Sequence, residues 1–585
     1  MTSEADLSRF IPSLAWLRSY SREWLRADVT AGLIAAAVVI PKAMAFATIA
    51  GLPVQVGLYT AFVPMVVYAF LGTSRLLSVS TTTTLAILAA ASLGEVVPNG
   101  DGAQLLIAGA TLAMLVGAML LLASLLRLGF VANFISDPVL AGFKSGIGLV
   151  IVVDQIPKLF GFHIEKAGFF RDLVAMAQHM PQTSAATLVL AIATLLLIFG
   201  LERFAPRVPA PLIAVAVGIA ASALLALPDA GVATVGSIPR GLPSLVLPQF
   251  DLLAQLWPAA AGIALMSFTE SIAAARAFTR SNEPRLEPNQ ELRALGVANF
   301  VGGLFGAMPA GGGTTQTAVN RRAGARSQMA GLVTAAAAVA TMVLLAPLIA
   351  WMPHAVLAAV VVAYSVELIS PAEFRVIARV RRTEVYWALI AFAGVALLGT
   401  LKGILVAVIA SLVALAQQEY DPPVYAIGRK RGTHVFRPLS EKRPDDETWP
   451  GLLIVRIEGR LFFANAQQVG DKIWPLIEKT KPSVILLDCS AIFDIEYTAL
   501  KMLAESEERL RREGIVLWLA ALNPDVLTVV RRSKIGVALG RDRMFFNRQT
   551  AVEHFERMAS SSAGDQPSAG AADAVTEDAF TEERR

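Results

Sequence analysis

Met308-Pro309-Ala310-Gly311-Gly312-Gly313-Thr314-Thr315-Gln316-Thr317 interrupts a chain that is apolar on both sides, and a looser copy precedes it at Ser78-Val79-Ser80-Thr81-Thr82-Thr83-Thr84. Each break follows the same parts in the same order: a helix with one charge, a second helix, then a run of hydroxyls. Ahead of the first lie Asp28 to Leu52, containing Pro41-Lys42-Ala43-Met44-Ala45-Phe46-Ala47, and a span ending at Leu71-Gly72. Ahead of the second lie Met266-Ser267-Phe268-Thr269-Glu270-Ser271-Ile272 and a span ending at Leu304-Phe305-Gly306. Two half-helices meeting at mid-membrane leave their first N–H groups unpaired before a cavity, so paired interruptions point to a solute site. An anion satisfies those groups, and the two helix dipoles add partial positive charge. The hydroxyls of Ser80, Thr81, Thr314 and Thr315 can donate further hydrogen bonds. Gly311, Gly312 and Gly313 are expected to take non-helical angles and to let the chain approach a ligand closely. The plainer reading is a Gly/Thr-rich loop between two helices.

Composition sets the surroundings of these breaks. The 585 residues are 55% apolar and 16% charged, more apolar than water-soluble domains need, which makes this a membrane protein. The formal charge of +4, from 50 Lys plus Arg against 46 Asp plus Glu, and the lack of a long basic block speak against a nucleic-acid partner. The single cysteine, Cys489, excludes an intramolecular disulfide framework. The 5 scattered histidines have no Cys company, so no metal site and no cofactor is expected. Charges at Glu4, Asp6, Arg9, Arg18, Arg22, Glu23 and Arg26 precede the first apolar run, and no cleaved signal peptide is expected.

From Asp28 to Gln418, runs of about 20 apolar residues, the length a spanning helix needs, follow each other with short polar breaks. About fourteen spans fit, beginning near Val29, Val56, Ser78, Ala103, Phe134, Ser184, Pro209, Leu252, Glu291, Thr314, Ser327, His354, Glu384 and Gly403. Threaded with the N-terminus inside, the cytoplasmic loops hold Arg203, Arg207, Arg280, Arg285, Arg293, Arg321, Arg322, Arg326, Arg375, Arg379, Arg381 and Arg382. The opposite loops hold little beyond Lys158, Lys166, Arg171, Arg240 and Lys402. That asymmetry supports the orientation and an even number of spans, with both termini in the cytoplasm and the protein in the inner cell membrane.

Two charges occupy matching places in the two stretches, Lys42 in the first span and Glu270 in the eighth. A lone charge in lipid is costly enough that function is the default expectation. Either Lys42 supplies fixed positive charge to an anion, or Lys42 and Glu270 pair and exchange partners when substrate or proton arrives. A mixture of the two is preferred over a purely structural salt bridge. Lys144, in the fifth span, is expected to snorkel or to pack at a helix crossing.

After Gln418 come Asp421-Pro422-Pro423, the basic Arg429-Lys430-Arg431 and a polar stretch from Ser440 to Trp449. Leu452 to Ile457, Ser483 to Leu487 and Ile515 to Ala521 then read as buried strands. Leu500, Leu503 and Leu510 stripe a helix whose other side carries Glu505, Glu507, Glu508, Arg511 and Arg512. The domain reading is therefore a cytoplasmic N-terminal segment at 1–27, a membrane domain at 28–418, a linker at 419–448, a small soluble α/β domain at 449–559, and a disordered tail at 560–585.

At these residues the chain resembles the sulfate permease family of anion transporters and exchangers. Ile40-Pro41, Met44-Ala45-Phe46-Ala47, Ala50-Gly51-Leu52-Pro53, Gly57-Leu58-Tyr59 and Gly72-Thr73-Ser74-Arg75 carry the likeness in the first half. Glu270, Asn289-Gln290-Glu291-Leu292, Gly296-Val297-Ala298-Asn299 and Thr317-Ala318-Val319-Asn320 carry it in the second. The resemblance implies two inverted seven-span repeats split into a mobile core and a gate, with substrate between the third and tenth spans. It also implies that the soluble part is a STAS domain, to which Leu487-Asp488-Cys489-Ser490-Ala491, Asp494 and Thr498 are similar, and that homodimers form. The substrate residues it points to are Lys42, Phe46, Ser80, Thr81, Thr82, Gly313, Thr314, Thr315 and Gln316.

The sequence departs from the family pattern at three places. Many relatives have Gln in place of Lys42 and a Ser-Arg pair in place of Thr315-Gln316, so a positive charge has moved from the tenth span to the first. An anion in a low-dielectric cavity responds to charge from several ångströms away, and the site keeps its sign. The break at Ser78 to Thr84 also lacks the Gly-Pro of many members. Glu270 matches a carboxylate that the family associates with proton coupling; a glutamate in a dry core can take up a proton with the substrate and cancel one charge of a divalent anion. Thr498 stands where some STAS domains carry a phosphorylatable hydroxyl, although Tyr497 and Ala499 depart from the usual flanks, and a helix-start role competes with a regulatory one. The expected function is secondary transport of a small inorganic anion, sulfate first and bicarbonate second, coupled to H+ and working by an elevator-like movement. The rivals are a bicarbonate/chloride or dicarboxylate exchanger and, from another class, a membrane-held sensor that signals through the STAS domain.

Overall fold

The computed structural model describes residues 20–97, 102–133, 136–164, 169–206, 208–236, 241–279 and 285–564, with a few isolated positions besides. The span start expected at Phe134, the loop residues Lys166, Arg207, Arg240 and Arg280, most of the first nineteen residues and the tail beyond 564 lie outside them. The chain divides into two compact units, Met1–Leu412 and Val413–Arg585.

In the first unit the apolar runs form helices. These are α1 (Arg22–Ile49), α2 (Val54–Leu71), α3 (Thr83–Val96), α4 (Gly102–Leu125), α5 (Asp137–Phe160), the amphipathic α6 (Phe169–His179), α7 (Ala185–Phe204) and α8 (Ala210–Leu224). The second half contributes α9 (Leu253–Phe278), α10 (Pro288–Leu304), α11 (Thr314–Arg322), α12 (Met329–Ile349, with a π-helical turn at Thr341–Leu345), α13 (His354–Val366), the short α14 (Pro371–Val380), α15 (Arg382–Leu398) and α16 (Thr400–Tyr420). Fourteen of these sixteen match the expected spans in order, α6 and α14 being the extra surface helices. Nine helical stretches among the described residues are long and apolar enough to cross a bilayer alone. The half-length α3 and α11 fall short because each starts only where its break ends.

Packing sorts the helices into two bundles. In one, α4 lies on α10, α1 on α12 and α2, and α9 on α3, α4 and α11; in the other, α5 lies on α13 and α15, and α7 on α13 and α8. Contact between the bundles runs through α1 against α13 and α8, and α3 against α5. Small residues make the close approaches within each bundle. A methyl group on Gly117 would fall 2.4 Å from Phe300 N of α10, and one on Gly142 1.9 Å from Ala388 O of α15.

The second unit is a six-stranded sheet in the order β4-β3-β5-β6-β7-β8, formed by β3 (Val424–Arg429), β4 (Phe436–Pro438), β5 (Leu452–Ile457), β6 (Val484–Asp488), β7 (Val516–Ala520) and β8 (Met544–Phe545). From β5 to β8 the pairing is parallel, and β3 joins antiparallel to both β4 and β5. Residues 424–438, expected as linker, thus belong to the sheet; the short β4 and the Arg, Lys and Pro around both strands hid their apolar alternation. Side chains alternate with the pleat. Leu453, Val455, Ile485, Leu487, Leu517 and Leu519 face α17 (Ala466–Thr480) and α18 (Tyr497–Arg512). Leu452, Ile454, Val484, Leu486, Trp518 and Ala520 face Ala551, Val552 and Phe555 of α21 (Arg548–Gly564). Helices α19 (Pro524–Arg531) and α20 (Lys534–Leu539) complete the first of these layers. The helical turns of α21 run through residues 560–564, beyond the expected start of the tail. Glu507, expected on the polar side of α18, is buried and bonded to Arg543 at 3.0 Å.

Candidate functional site

The two breaks meet. Val79 pairs with Gly312 and Ser80 with Gly311 in a two-residue antiparallel ladder, β1 (Val79–Ser80) with β2 (Gly311–Gly312). The pairing is braced on every side. Gly313 N donates to Ser78 O at 3.1 Å, Ser78 N to Thr317 Oγ1 at 3.1 Å, and Gly312 N to Ser271 Oγ at 2.7 Å. Ala310 is held by Asn299 through its N–H at 2.7 Å and its carbonyl at 3.0 Å. Immediately after the ladder α3 and α11 begin, so their N-termini lie side by side in the interior.

A helix leaves its first N–H groups without carbonyl partners. At α3 the Thr82 hydroxyl caps Leu85 N at 3.3 Å, leaving the N–H groups of Thr83 and Thr84 at the tip. At α11 the preceding residue is Gly313, which has no side chain to cap with, leaving those of Thr314, Thr315 and Gln316. A cavity of about 100 Å³ opens at these tips, lined by Thr82, Thr83, Thr84, Gly312, Gly313, Thr314, Thr315 and Gln316. Lys42, Phe46 and Glu270 also line it, and the opposite wall consists of Lys144 of α5 with Tyr364, Glu367 and Leu368 at the end of α13.

Of the nine substrate residues expected from the sequence, seven therefore border one cavity. Ser80 and Thr81 do not: both are fully buried behind the tips. Ser80 Oγ is 2.9 Å from Gln316 Oε1 and donates to it, which leaves the Gln316 amide N–H groups to the cavity. Glu270 borders the cavity too, and accepts from Thr82 Oγ1 at 3.0 Å and Thr84 Oγ1 at 2.8 Å. Those two hydroxyls are committed to the carboxylate, so the donors left at the α3 tip are backbone N–H groups and the Thr83 hydroxyl.

Lys42 is 3% exposed and sits one residue after Pro41 inside α1. Its Nζ lies 3.5 Å from the centroid of the Tyr364 ring. Among the described residues no ion pair joins Lys42 to Glu270 or to any other carboxylate within 4.0 Å. Lys144, expected to snorkel or to pack at a helix crossing, also borders the cavity. The glycines take extended, non-helical angles as expected, none of Gly311, Gly312 and Gly313 having a positive φ, and Gly312 and Gly313 border the cavity. Gly312 is required for space as well, because a methyl group there would fall 2.6 Å from Leu77 Cδ1 and 2.9 Å from Ser271 Cα.

Residues the sequence reading singled out as motif have bracing roles. Asp28 Oδ1 accepts from Arg326 N at 2.6 Å and its Oδ2 from Ser327 Oγ at 2.7 Å, tying α1 to the start of α12. Glu291 accepts from Tyr68 Oη at 2.8 Å and Thr73 N at 2.7 Å, fixing the turn after α2. Tyr364 and Glu367 were missed because α13 has no break to mark it. In the second unit Thr498 is exposed in the first turn of α18, ten residues beyond Asp488.

A family model described as sulfate permease family matches residues 25–414, and a STAS domain model matches residues 443–547. A probable sulfate transporter of Mycobacterium tuberculosis is 36% identical over 551 residues, 93% of this chain and 98% of that protein. The chain belongs to the sulfate permease family. Within it, this sulfate permease relative is also 29% identical to the chloroplastic sulfate transporter 4.1 of Arabidopsis thaliana, over 94% of this chain and 82% of that one. Murine solute carrier 26 family member A9, an anion transporter solved in an inward-facing state, shares the fold with a TM-score of 0.87 at 23% identity, over 95% of each chain. The transmembrane domain of a cyanobacterial bicarbonate transporter matches with a TM-score of 0.60 at 25% identity, covering 67% of this chain and 98% of that one. The protein is thus a multi-pass helical membrane protein of a transporter family, with a STAS domain after the membrane region.

Proposed function

We propose that the protein carries a small inorganic anion across the inner cell membrane, sulfate first, by secondary active transport. One observation carries this reading: two helix N-termini and the Lys42 ammonium converge on one cavity. Five backbone N–H groups, the Gln316 amide and Lys42 offer donors to a tetrahedral oxyanion, as helix N-termini do for phosphate and sulfate elsewhere. Phe46 closes the side of the cavity next to Lys42, where an apolar wall strengthens the electrostatic attraction. The relatives named as sulfate transporters favour sulfate. Bicarbonate is the second reading, favoured by the likeness to the bicarbonate transporter domain.

The cavity lies between the bundles, which is where a core that moves past a gate would load and release its cargo. In this mechanism α1–α4 with α9–α12 travel as one body along α5, α7, α8, α13 and α15. Glu270 takes up the coupled proton and moves with the anion. Both termini lie in the cytoplasm, two copies associate, and Thr498, exposed at the start of α18, is available for regulatory modification.

Counterflow of labelled sulfate, bicarbonate or succinate into proteoliposomes loaded with the same unlabelled anion, with and without a pH gradient, tests the whole reading. Saturable sulfate counterflow that an inward acid gradient stimulates is the expected outcome. Exchange of succinate alone, or no counterflow of any of the three, contradicts it.

A further inference from the structure

A buried ammonium in a membrane protein needs a counter-charge in every state through which it passes. Lys42 has an anion for that purpose only when the site is loaded. When the site is empty, the neighbouring carboxylate on its own bundle, Glu270, is engaged by Thr82 and Thr84. The other bundle supplies what is missing. The last turn of α13 presents the Tyr364 ring to Lys42 Nζ at 3.5 Å, and Glu367 follows three residues later at the C-cap, on the same helix face. The α13 C-terminus also carries the negative end of the helix dipole. Glu367 lines the same cavity as Lys42, whereas Glu202 of α7 does not.

From this juxtaposition we infer that Glu367 and Tyr364 form a gate-side counter-charge for Lys42, a built-in competitor that the transported anion displaces. This rests on the anion-site reading and deepens it. With the site empty, attraction between Lys42 on α1 and the end of α13 holds the two bundles together. An arriving anion, lodged between the helix tips and Lys42, neutralises the ammonium from its own side and releases that attraction. The loaded core is then free to move. Glu367 is not left isolated, because Lys144 of α5 borders the same cavity and remains on the gate side with it. The arrangement makes movement depend on loading, which is what separates a carrier from a leak.

The competition is measurable by titrating full-length protein in detergent with sulfate, and separately with bicarbonate, by calorimetry. Glu367→Gln removes the competing charge and is expected to bind sulfate roughly three- to tenfold more tightly than wild type. Glu367→Asp keeps the charge and is expected to match wild type. Glu202→Gln, at an exposed residue outside the cavity lining, is expected to stay within about twofold. Unchanged or weaker binding by Glu367→Gln overturns the inference. So does equal tightening in Glu367→Asp, which would make side-chain size the cause, or in Glu202→Gln, which would make it a general field. A wild type that binds neither anion strikes the anion-site reading itself and takes this inference with it.

Discussion

Two buried charges in this protein are treated in opposite ways. In the STAS domain, Asp488 is fully buried and sits between two guanidinium groups, Arg456 Nε at 2.7 Å and Arg548 NH1 at 2.9 Å. In the membrane domain, Lys42 is just as deeply placed, yet it meets an aromatic face and an empty cavity bordered by helix tips. The first charge is satisfied by its own chain and holds a strand end in place. The second has no ion pair among the described residues, and under the proposed function it awaits an anion that comes and goes. Burial alone therefore says little about function; what decides it is whether the fold supplies the partner.

The largest effect expected from breaking this contrast is on the satisfied side. Asp488→Asn leaves two guanidinium groups facing a neutral amide, and because both keep some contact with water the cost is expected to be about 3 kcal/mol. Hydrogen exchange of the Val484–Asp488 strand in the full-length protein reads it directly; unchanged protection would show the triad to be dispensable. The pH dependence follows from the same charges. Burial pushes the Asp488 carboxyl up, but the hydrogen bonds from Arg548 and Arg456 outweigh it and hold the carboxyl below the usual range. A carboxyl depressed in the folded state stabilises above its unfolded value, near 4, and loses that contribution as pH falls through the folded value. Strand protection in wild type should therefore decline below about pH 4, and the Asn variant should lack that part of the decline.

On the unsatisfied side, Lys42→Ala removes the fixed charge and with it the attraction to Glu367, which still shares the cavity with Lys144. Sulfate binding should weaken by roughly a hundredfold or more, equal to about 3 kcal/mol, while thermal stability changes much less. Wild-type affinity in that variant would assign Lys42 a packing role. A smaller change is expected from Glu270→Gln. Its amide oxygen can still accept from one of Thr82 and Thr84 while its NH2 donates to the other hydroxyl, so exchange should persist, with acid stimulation of uptake reduced several-fold to none. An unaltered pH profile would move proton coupling elsewhere.

How far the sequence showed this in advance differs between the two charges. Lys42 and Glu270 were legible because a charge inside an apolar run has few explanations, and the hydroxyl-rich breaks because two of them rhyme. The opposite wall was not: Lys144, Tyr364 and Glu367 sit on helices with no interruption, and only folding brings α5 and α13 across from α1. Ser80 and Thr81 were legible as part of the break but not by direction, since it is the meeting of the two breaks, with Ser80 paired to Gly311, that buries both behind the tips. The glycines were rightly read for non-helical angles, but the sequence did not show that Ser271 and Leu77 leave no room for a methyl group at Gly312. In the STAS domain the central strands and α18 were plain from their patterns. The Asp488 triad was not, because its two arginines come from β5 and from the start of α21, far apart in the chain.

The central claim is that an anion rests where α3 and α11 begin, beside Lys42. Selenate is a close stereochemical stand-in for sulfate, and its selenium scatters X-rays anomalously, so a crystal of the full-length protein soaked in selenate locates it without ambiguity. The account places one anomalous peak between the tips, in hydrogen-bonding reach of the N–H groups of Thr83, Thr84, Thr314 and Thr315 and of Lys42 Nζ. Selenate bound elsewhere while that cavity stays empty would contradict it.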